Sequence, residues 1–472
     1  MTVVPWFPGR WRYVTAMTID AMGSGLYLPF SLLYFHHVSG LPLPTVGAGL
    51  SIAALVGLAG NPVGGALVDR FGARRVIIAG YLLRAAGFVY YLTIRNFAEL
   101  VVATSLVAFG DRSFPPAIQS MMSELSSGIG RDRMVALQRS VRNAGMGLGG
   151  LAASAALGFG TDWAYHLIVL ADAASFLVAA ACISTVRTTG PAAPVVVSAA
   201  SPEVRPPSYR AVLRDRRFLW LSLANVPVAL CYNALLSLLP IFAVEVLHQD
   251  AQLPGLIFAL QTVLVAVGQI PISRLQEGTR RTRATALGAF MFGTSCLCFA
   301  ALVWLPRGAL VGIGLIAISV YYTVAEMLHS TPAWTLASET APPAIRGRYL
   351  AVYQMSFSLA GVVAPTLFTS LMAVNAQLVW VLVGAGAVLG GAALIRLEPR
   401  LPAAAVRATR TVPAEPIAAE PIAAEPIAAE PITTDPITVD PITVEPMTTL
   451  TEPMIGALEP ADPAIDRGGA AG

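Results

Sequence analysis

The sequence predicts an all-α membrane protein whose twelve transmembrane helices form two six-helix halves. Its 472 residues are 56% hydrophobic and only 12% charged, and the mean hydropathy is +0.67. Soluble domains carry about 25% charged residues, so this chain has too little polar surface to face water. The apolar residues form runs long enough to cross a bilayer, and arginines stand mainly in every second gap between these runs.

Each predicted helix is an apolar run of about 20 residues, the length that crosses a hydrocarbon core of about 30 Å. A backbone in lipid has no water to hydrogen-bond with, so such runs are expected to be helical. The predicted spans are 14–37, 45–67, 76–94, 98–122, 140–159, 163–186, 217–247, 253–274, 284–305, 308–336, 350–373 and 377–396.

The arginines test the number of spans independently of hydropathy. With twelve spans, 21 arginines fall in the N-terminal stub and the even-numbered loops, whereas only Arg95 and Arg307 fall in the opposite loops. Cytoplasmic loops carry the excess of basic residues. The chain is therefore predicted to be a multi-pass protein of the cell membrane with both termini in the cytoplasm.

A break in the apolar pattern divides the spans into two equal sets. Residues 187–216 are rich in Pro, Ser and Arg and predict a cytoplasmic linker. The flanking halves, 1–186 and 217–397, each contain a Pro-bearing span that is followed by an acid, an Arg-x-Arg pair and a glycine-containing helix. Parallel repeats of this kind are common in transporters, which place substrate near the membrane midplane between them.

The C-terminal tail, 398–472, differs in composition from the body. From Glu415 to Glu445 an acid followed by Pro recurs every five residues, and residues 403–472 hold 11 acids against 3 Arg. Pro at every fifth position forbids a continuous helix, so the tail is predicted to be a disordered cytoplasmic segment. We expect it to be passive and solvated, with binding of a partner as the alternative.

Several function classes are excluded by composition. The arginines lie in short loops rather than on one soluble face, which excludes nucleic-acid binding. Without any Lys, the chain cannot form the Gly-Lys phosphate loop of an ATP-driven pump. Five scattered His and the lack of H-E-x-x-H or G-x-S-x-G argue against an enzyme, and the four Cys lie in apolar runs without metal-ligand spacing. We therefore expect no catalytic residue, metal site or cofactor.

The most specific pattern stands between the second and third spans and reads Gly65-Ala-Leu-Val-Asp69-Arg70-Phe-Gly72-Ala-Arg74-Arg75. Gly65 allows two helices to approach closely, Asp69 can receive an Arg or a helix N-terminus, and Gly72 permits a tight turn. The arginines anchor the loop on the cytoplasmic side. We interpret this stretch as a loop that governs the conformation of the protein.

The loop resembles the signature loop of the major facilitator superfamily, G-x-x-x-D-R-x-G-x-R-R, at every motif position, and the resemblance covers residues from about 10 to 397. It implies the major facilitator fold, with alternating access by rocking of the two halves. The second half contains a partial match to this motif, Arg274-Leu-Gln-Glu-Gly278-Thr-Arg280-Arg281, which lacks the Asp. The run Glu326-Met-Leu-His-Ser-Thr-Pro332 and the stretch 341–349 are similar to twelve-span exporters that exchange drugs for protons.

Charges inside the predicted spans are the candidates for coupling, because they are costly in lipid and usually functional or paired. They are Asp20 in span one, Asp111 and Arg112 in span four, and Glu326 in span ten. His329 follows Glu326 by three residues, so both are expected on one helix face. Burial favours a neutral carboxyl and a nearby Arg favours an ionised one. Alternation between such surroundings would load and release a proton.

Static packing is the other interpretation of these charges, for example a pair of Asp20 with Arg112 or of Asp172 with Arg84. Aromatic residues in the spans likewise have two interpretations, because they can line an apolar drug cavity or pack in the core and against lipid. These residues are Tyr27, Phe30, Tyr34, Tyr232, Tyr321, Tyr322 and Trp334.

The sequence thus predicts a monomeric secondary transporter that exports small hydrophobic or amphipathic compounds and is driven by proton entry. Its expected partners are a small-molecule substrate, protons and the lipid bilayer. Proton-linked uptake of a polar metabolite is the alternative, and it would need more polar groups in the membrane than the spans contain. A membrane receptor or enzyme is the third possibility, for which no metal or nucleophile constellation is present.

Overall fold

The computed structural model describes residues 8–125, 129–158, 162–186 and 209–407, which belong to one compact unit, Met1–Thr411. Within these ranges the backbone is helical apart from short connections and one isolated antiparallel bridge between Arg280 and Arg407. The predicted all-α class is therefore confirmed. Most of the predicted linker and the acidic repeat lie outside the described residues.

The N-terminal helices, α1–α8, begin before the first predicted span and continue to the end of the sixth. They are α1 (Pro8–Tyr27), a 3-10 turn (Leu28–Phe30), α2 (Ser31–Ser39), α3 (Leu43–Leu58), α4 (Gly60–Phe71), α5 (Ala73–Tyr91), α6 (Phe97–Leu125), α7 (Ile129–Leu157) and α8 (Asp162–Ser184).

The C-terminal helices, α9–α17, follow the predicted linker. They are α9 (Tyr209–Arg214), α10 (Arg216–Asn233), a π-helical turn (Ala234–Leu238), α11 (Leu239–Ile241), a second π-helical turn (Phe242–Val246), α12 (Gln252–Leu275), α13 (Arg281–Ala301), α14 (Ala309–Thr340), α15 (Arg346–Val374), α16 (Ala376–Leu397) and α17 (Ala403–Val406). Short 3-10 turns follow α13 (Leu302–Trp304), precede α15 (Pro343–Ile345) and follow α16 (Glu398–Arg400).

Eight helical segments in the described ranges are long and apolar enough to cross a membrane: Leu43–Phe71, Trp163–Ser184, Arg216–Val246, Gln252–Leu275, Arg281–Trp304, Ala309–Thr340, Arg346–Val374 and Ala376–Arg400. The predicted spans within α1, α5, α6 and α7 are not among them. These helices carry more charge, such as Arg84 in α5 and the Asp111–Arg112 pair in α6, and charged residues lower the mean hydropathy.

Helix ends are set by a few local residues. Gly72 has a φ of 83°, a left-handed value that favours glycine, and it separates α4 from α5 with a single residue. The Asp215 carboxylate accepts hydrogen bonds from the backbone N–H groups of Arg217 and Phe218 and so caps α10. The Asn375 side chain caps α16 in the same way, so that α15 and α16 are joined by one residue.

The helix bundle has two ends, which we name by their arginines. The arginine-rich end holds the α4–α5 turn at Gly72, the α12–α13 connection and the α14–α15 connection. The arginine-poor end holds the connections 40–42, 92–96, 247–251 and 305–308. The N-terminal and C-terminal helices meet chiefly where α3 packs on α15 and α7 packs on α12.

Contacts between the N-terminal and C-terminal helices lie toward the arginine-poor end. Thr366 on α15 donates from Oγ1 to Ser51 Oγ on α3 at 2.8 Å, and Ser154 on α7 donates to the Gln252 carbonyl that begins α12. Farther along, a Cβ added to Gly65 on α4 or to Gly361 on α15 would meet nothing within 4 Å. The α3 and α15 helices are thus in contact toward the arginine-poor end, and the Cβ positions of Gly65 and Gly361 have open space around them.

Glycines on α1 and α7 allow those two helices to approach closely. A Cβ built at Gly149 would lie 2.1 Å from the Met22 carbonyl oxygen, and one at Gly25 would lie 2.2 Å from the Met146 carbonyl oxygen. Both obstacles are backbone atoms, so the helices themselves would have to separate.

We therefore expect Gly149→Ala to lower the free energy of unfolding by about 1–3 kcal/mol, the usual cost of overpacking. Gly361→Ala is the matched control, because its Cβ meets open space and an alanine in a helix is favoured by about 0.5–1 kcal/mol over glycine. Thermal denaturation of the detergent-solubilised protein measures both changes. Equal melting temperatures for the two variants would contradict the close α1–α7 contact.

The segment after α16 continues to pack beyond residue 398, where the disordered tail was predicted to start. Glu398 accepts a hydrogen bond from Thr282 at 2.5 Å and also pairs with Arg280. Ala405 is fully buried in a cluster that includes Val212 of α9. The described structure therefore extends to Arg407, because the acid at 398 and apolar side chains beyond it have partners on the C-terminal helices.

Candidate functional site

A buried arginine, Arg84 on α5, is the centre of a charged cluster among the N-terminal helices. Its side chain is only 6% exposed, and its Nη1 lies 2.8 Å from Asp20 Oδ1 on α1. Nη2 lies 3.4 Å from the Ser24 hydroxyl, one turn farther along α1. Burying such an ion pair costs several kcal/mol per ion, because both charges lose water. The attraction between the charges offsets this cost only when their geometry is close.

Two further carboxylates belong to the same cluster. Asp111 Oδ1 on α6 lies 3.7 Å from Arg84 Nη2, and its side chain is 58% exposed. Asp172 on α8 is buried, with Oδ1 accepting from Ser175 Oγ at 3.1 Å and Oδ2 left without a hydrogen-bond partner among the described residues. The Arg84 guanidinium is therefore within ion-pair distance of Asp20 and Asp111, on two different helices, whereas Asp172 lies one turn before Phe176 on α8 without a direct ion pair to Arg84 in the described structure.

Aromatic rings hold the guanidinium in place. The Arg84 Cζ atom lies 4.0 Å from the centroid of the Phe176 ring on α8 and 5.7 Å from that of Phe114 on α6. Cation–π contacts of this length are strongest when they are desolvated. Arg84 is thus held between α1, α6 and α8 by an ion pair and two aromatic rings.

The structure brings together some of the residues that the sequence identified as candidates, but with a different partner. Asp20 and Asp111 both face Arg84. Arg112 is half-buried on α6 and forms no ion pair in the described part of the chain, so the alternative pairing of Asp20 with Arg112 is wrong. Asp172 and Arg84 share the cluster without a direct hydrogen bond. The clue in the sequence was that three acids and only two arginines occupy the interior of these spans.

In the C-terminal helices, Glu326 of α14 is half-buried and its Oε2 accepts a hydrogen bond from Gln261 Nε2 on α12 at 2.8 Å. His329 is 2% exposed, and its Nδ1 lies 3.1 Å from the Tyr232 hydroxyl on α10. The two side chains therefore contact different neighbouring helices, although the Tyr232 hydroxyl also lies 3.4 Å from the Glu326 carbonyl oxygen. Residues three apart on a helix are about 60° apart around its axis, which is enough to separate their partners.

A small, mainly apolar cavity lies beside His329. Its volume is about 20 Å³, and its lining includes the polar residues Asn225, Thr285 and Tyr353. A cavity holds one water once it offers about 10–15 Å³ and several polar partners. The cavity is therefore large enough for a single water beside His329.

The aromatic residues divide between core and partly open positions. Tyr27, Phe30 and Tyr34 are buried, and Tyr27 packs on Phe88 with ring centroids 4.7 Å apart, so they belong to the core. Trp334 is 38% exposed and lies parallel to Phe357 at 5.9 Å. The remaining aromatics of the predicted set, Tyr232, Tyr321 and Tyr322, lie on α10 and α14, and only Tyr322 among them is fully buried.

The loop predicted to govern conformation forms the end of α4 and the start of α5. Asp69, Arg70 and Arg75 are exposed, whereas Arg74 donates a hydrogen bond to the Ser184 carbonyl at the end of α8. At the corresponding place in the C-terminal helices, Arg280 and Arg283 pair with Glu398 at the end of α16. In the first case an arginine after α4 contacts the end of α8, and in the second an arginine after α12 contacts the residue that follows α16.

Within the described ranges, no three His, Cys, Asp or Glu side chains lie close enough to share a metal ion. The candidate site therefore consists of two groups of ionisable side chains. One surrounds Arg84 in the N-terminal helices, and the other contains Glu326 and His329 in the C-terminal helices.

Comparison with known proteins adds a family, relatives and folds. The family model described as Major Facilitator Superfamily matches residues 13–365. The chain is 25% identical to Multidrug resistance protein MdtH of Aeromonas hydrophila, over 75% of this chain and 85% of the relative. It is 28% identical to the MdtH protein of Edwardsiella ictaluri, over 72% of this chain and 81% of the relative.

Solved structures with similar folds include a peptide transporter POT in complex with sulfate, at a TM-score of 0.65 and 18% identity, covering 83% of this chain and 94% of that one. The nucleoside transporter NupG has a TM-score of 0.66 and 13% identity, covering 83% of this chain and 99% of that one. At these identities the likeness concerns the fold alone.

Proposed function

This chain belongs to the major facilitator superfamily, a family of membrane transporters rather than enzymes, and on that premise we propose that it exports small hydrophobic or amphipathic compounds in exchange for protons. The MdtH relatives, which are named for multidrug resistance, support export of such compounds. The observation that carries the proton part is the buried Arg84, whose single charge faces both Asp20 and Asp111.

The helix bounds support twelve spans in two halves. The N-terminal half, 1–186, would consist of the α1–α2 and α3–α4 segments and of α5 to α8, and the C-terminal half, 217–397, of the α10–α11 segment and of α12 to α16. Residues 187–216 would be the linker, with α9 lying at its end. Because the arginine-rich ends of both halves coincide, we place this end and both termini in the cytoplasm of a cell-membrane protein.

Alternating access would then proceed by rocking of the halves. In the described conformation the halves touch at the arginine-poor end, near Ser51 and Thr366, and α4 and α15 are uncovered at Gly65 and Gly361. This arrangement corresponds to a state that is open toward the cytoplasm. In the opposite state, the Gly65–Arg75 loop would approach the C-terminal half.

Proton coupling would use carboxylates whose surroundings change as the halves rock. Asp20 faces a cation, and Glu326 faces a neutral amide from Gln261. An ion pair favours the charged carboxylate and burial favours the neutral one. Movement of α1 against α5 would therefore make Asp20 bind or release a proton, and movement of α12 against α14 would do the same for Glu326. Arg112 lies beside Asp111 on α6, and His329 lies near Glu326 on α14. We propose that Arg112 and His329 contact substrate or water.

The test is flux across proteoliposomes that hold the purified monomer, with an imposed pH gradient and a panel of apolar dyes and polar metabolites. We expect gradient-driven dye export to fall by more than about tenfold, or ~1.4 kcal/mol, in Asp20→Asn and in Glu326→Gln. Glu99→Gln is the matched control, because that carboxylate accepts a backbone hydrogen bond from Arg95 at the arginine-poor end.

Three outcomes separate the possibilities. Dye flux that ignores the pH gradient in wild type and in both variants would overturn the proton exchange. Inward flux of a polar metabolite, with no dye export, would replace the proposal with proton-linked uptake. We expect gradient-driven dye export in wild type and in Glu99→Gln, and its loss in Asp20→Asn and in Glu326→Gln.

A further inference from the structure

An ion pair joins the N-terminal and C-terminal helices at the arginine-poor end. His37, at the end of α2, places its Nε2 3.5 Å from Oε1 of Glu245, which lies in the second π-helical turn after α11. The two side chains are 35% and 30% exposed. This contact is an ion pair only when the imidazole carries a proton.

Water reaches His37 through a polar cavity of about 320 Å³. The cavity is lined by N-terminal residues that include His37, Thr93, Arg95 and His166. Tyr165 packs its ring edge against the His37 ring, with centroids 5.3 Å apart. The imidazole can therefore exchange protons with the solution on this side, while its position is held by an aromatic neighbour.

The charged and titratable groups that face His37 come from both sets of helices. Glu245 is the direct contact, and Arg95 and His166 line the same cavity as His37. The His36 ring centroid lies 5.8 Å from that of His37. The neighbouring helices α3 and α11 carry no titratable side chain.

We infer that His37 and Glu245 form a proton-operated latch, in which a proton bound to His37 holds the two halves together at the arginine-poor end. Histidine is the side chain that changes its charge between about pH 5 and 8. The other contacts at this end, such as Thr366 with Ser51 and Ser154 with the Gln252 carbonyl, are hydroxyl hydrogen bonds that do not titrate in this range. Among these contacts in the described part of the chain, the His37–Glu245 pair is the one that a proton on histidine would strengthen.

With the orientation given under Proposed function, the latch faces the outside of the cell. Acid outside would then favour the closed outer end, and neutral or alkaline solution would favour its opening. This response is separate from the coupling carboxylates, because neither Asp20 nor Glu326 takes part in it. The distance measurement below needs no substrate and no gradient, so its failure is distinct from a failure of the transport proposal.

The experiment measures the width of the arginine-poor end by double electron–electron resonance on the full chain in lipid nanodiscs. Spin labels are placed at Ala98→Cys and Val374→Cys, two exposed positions at that end, after replacement of the four native cysteines. We expect the ratio of closed to open molecules to rise by about two- to fivefold between pH 8 and pH 5, the size typical of a partly exposed ion pair.

Four variants make the result decisive. His37→Gln and Glu245→Gln should each lose the pH dependence, and His37→Lys should keep the end closed at both pH values because its charge is permanent. His166→Gln, which lines the same cavity without touching Glu245, should retain the wild-type response. A pH-independent distance in wild type, or an unchanged response in His37→Gln with a wild-type melting temperature, would overturn the latch.

Discussion

Arg84→Met should destabilise the protein by about 3–5 kcal/mol, because it leaves the buried Asp20 carboxylate without its cation. The pair is 2.8 Å long, and both side chains are about 5% exposed. Met matches the length of the aliphatic part of Arg, so the main change is the lost charge, with its ion pair to Asp20 and its cation–π contact to Phe176. Thermal unfolding in detergent measures the loss of stability, and proteoliposome flux should show no gradient-driven transport.

The double variant Arg84→Met with Asp20→Asn tests the physical reason. Removing both charges leaves no unpaired ion at α1, so we expect most of the stability lost in the single variant to return. Arg112→Met is the control on the neighbouring helix, because Arg112 has no ion pair among the described residues. If Arg112→Met were as destabilising as Arg84→Met, Arg84 would not be the centre of the cluster.

A disulfide between Ser51→Cys and Thr366→Cys should stop transport, and a reducing agent should restore it. The two hydroxyl oxygens are 2.8 Å apart, and two sulfur atoms that replace them would be close enough to bond. The covalent link would hold α3 against α15 and prevent the halves from separating at the arginine-poor end. We expect flux to fall to the level of empty liposomes after oxidation, in a background without the four native cysteines.

Gly65→Cys alone is the matched control, because it lies on the same α3–α4 segment with nothing near its Cβ. Oxidation should leave its transport unchanged, and a thiol reagent should reach it in the described state. Full transport in the cross-linked pair, with the bond confirmed by mass spectrometry, would show that the halves do not separate at this contact.

The sequence was sufficient to predict the parts of the fold that depend on local pattern. Helices and their approximate bounds follow from the apolar runs, and the loop motif follows from its spacing, with Gly72 at the predicted turn. The arginine asymmetry predicts which connections share an end, and the contacts of Arg74 with α8 and of Arg280 with α16 agree with it.

The partner of each buried charge could not be predicted, because pairing depends on the rotation and depth of packed helices. Asp20 is 64 residues from Arg84, and neither position reveals which face of α1 meets α5. The glycines of α1 and α7 bring those helices unusually close and thereby influence the rotation of α1. Arg112 was the partner that the sequence offered for Asp20, yet Asp20 pairs with Arg84.

The partners of the C-terminal candidates could not be predicted either, although these residues are close in sequence. Glu326 and His329 are three residues apart, which predicted that both project from one helix face. Their helix lies between α12 and α10, so a difference of about 60° is enough to direct one side chain to Gln261 and the other to Tyr232. The position of the neighbouring helices, which is not encoded in a local spacing, decides the outcome.

The single guanidinium of Arg84, shared by Asp20 and Asp111, has an electrical consequence. These three side chains are negative in sum when both acids are ionised, so each proton that they bind changes the charge carried by the N-terminal helices. When one elementary charge crosses the bilayer, its electrical energy changes by about 2.3 kcal/mol for each 100 mV of membrane potential. The exchange of a proton for a neutral compound would therefore generate a current, and voltage would serve as an energy source alongside the pH gradient.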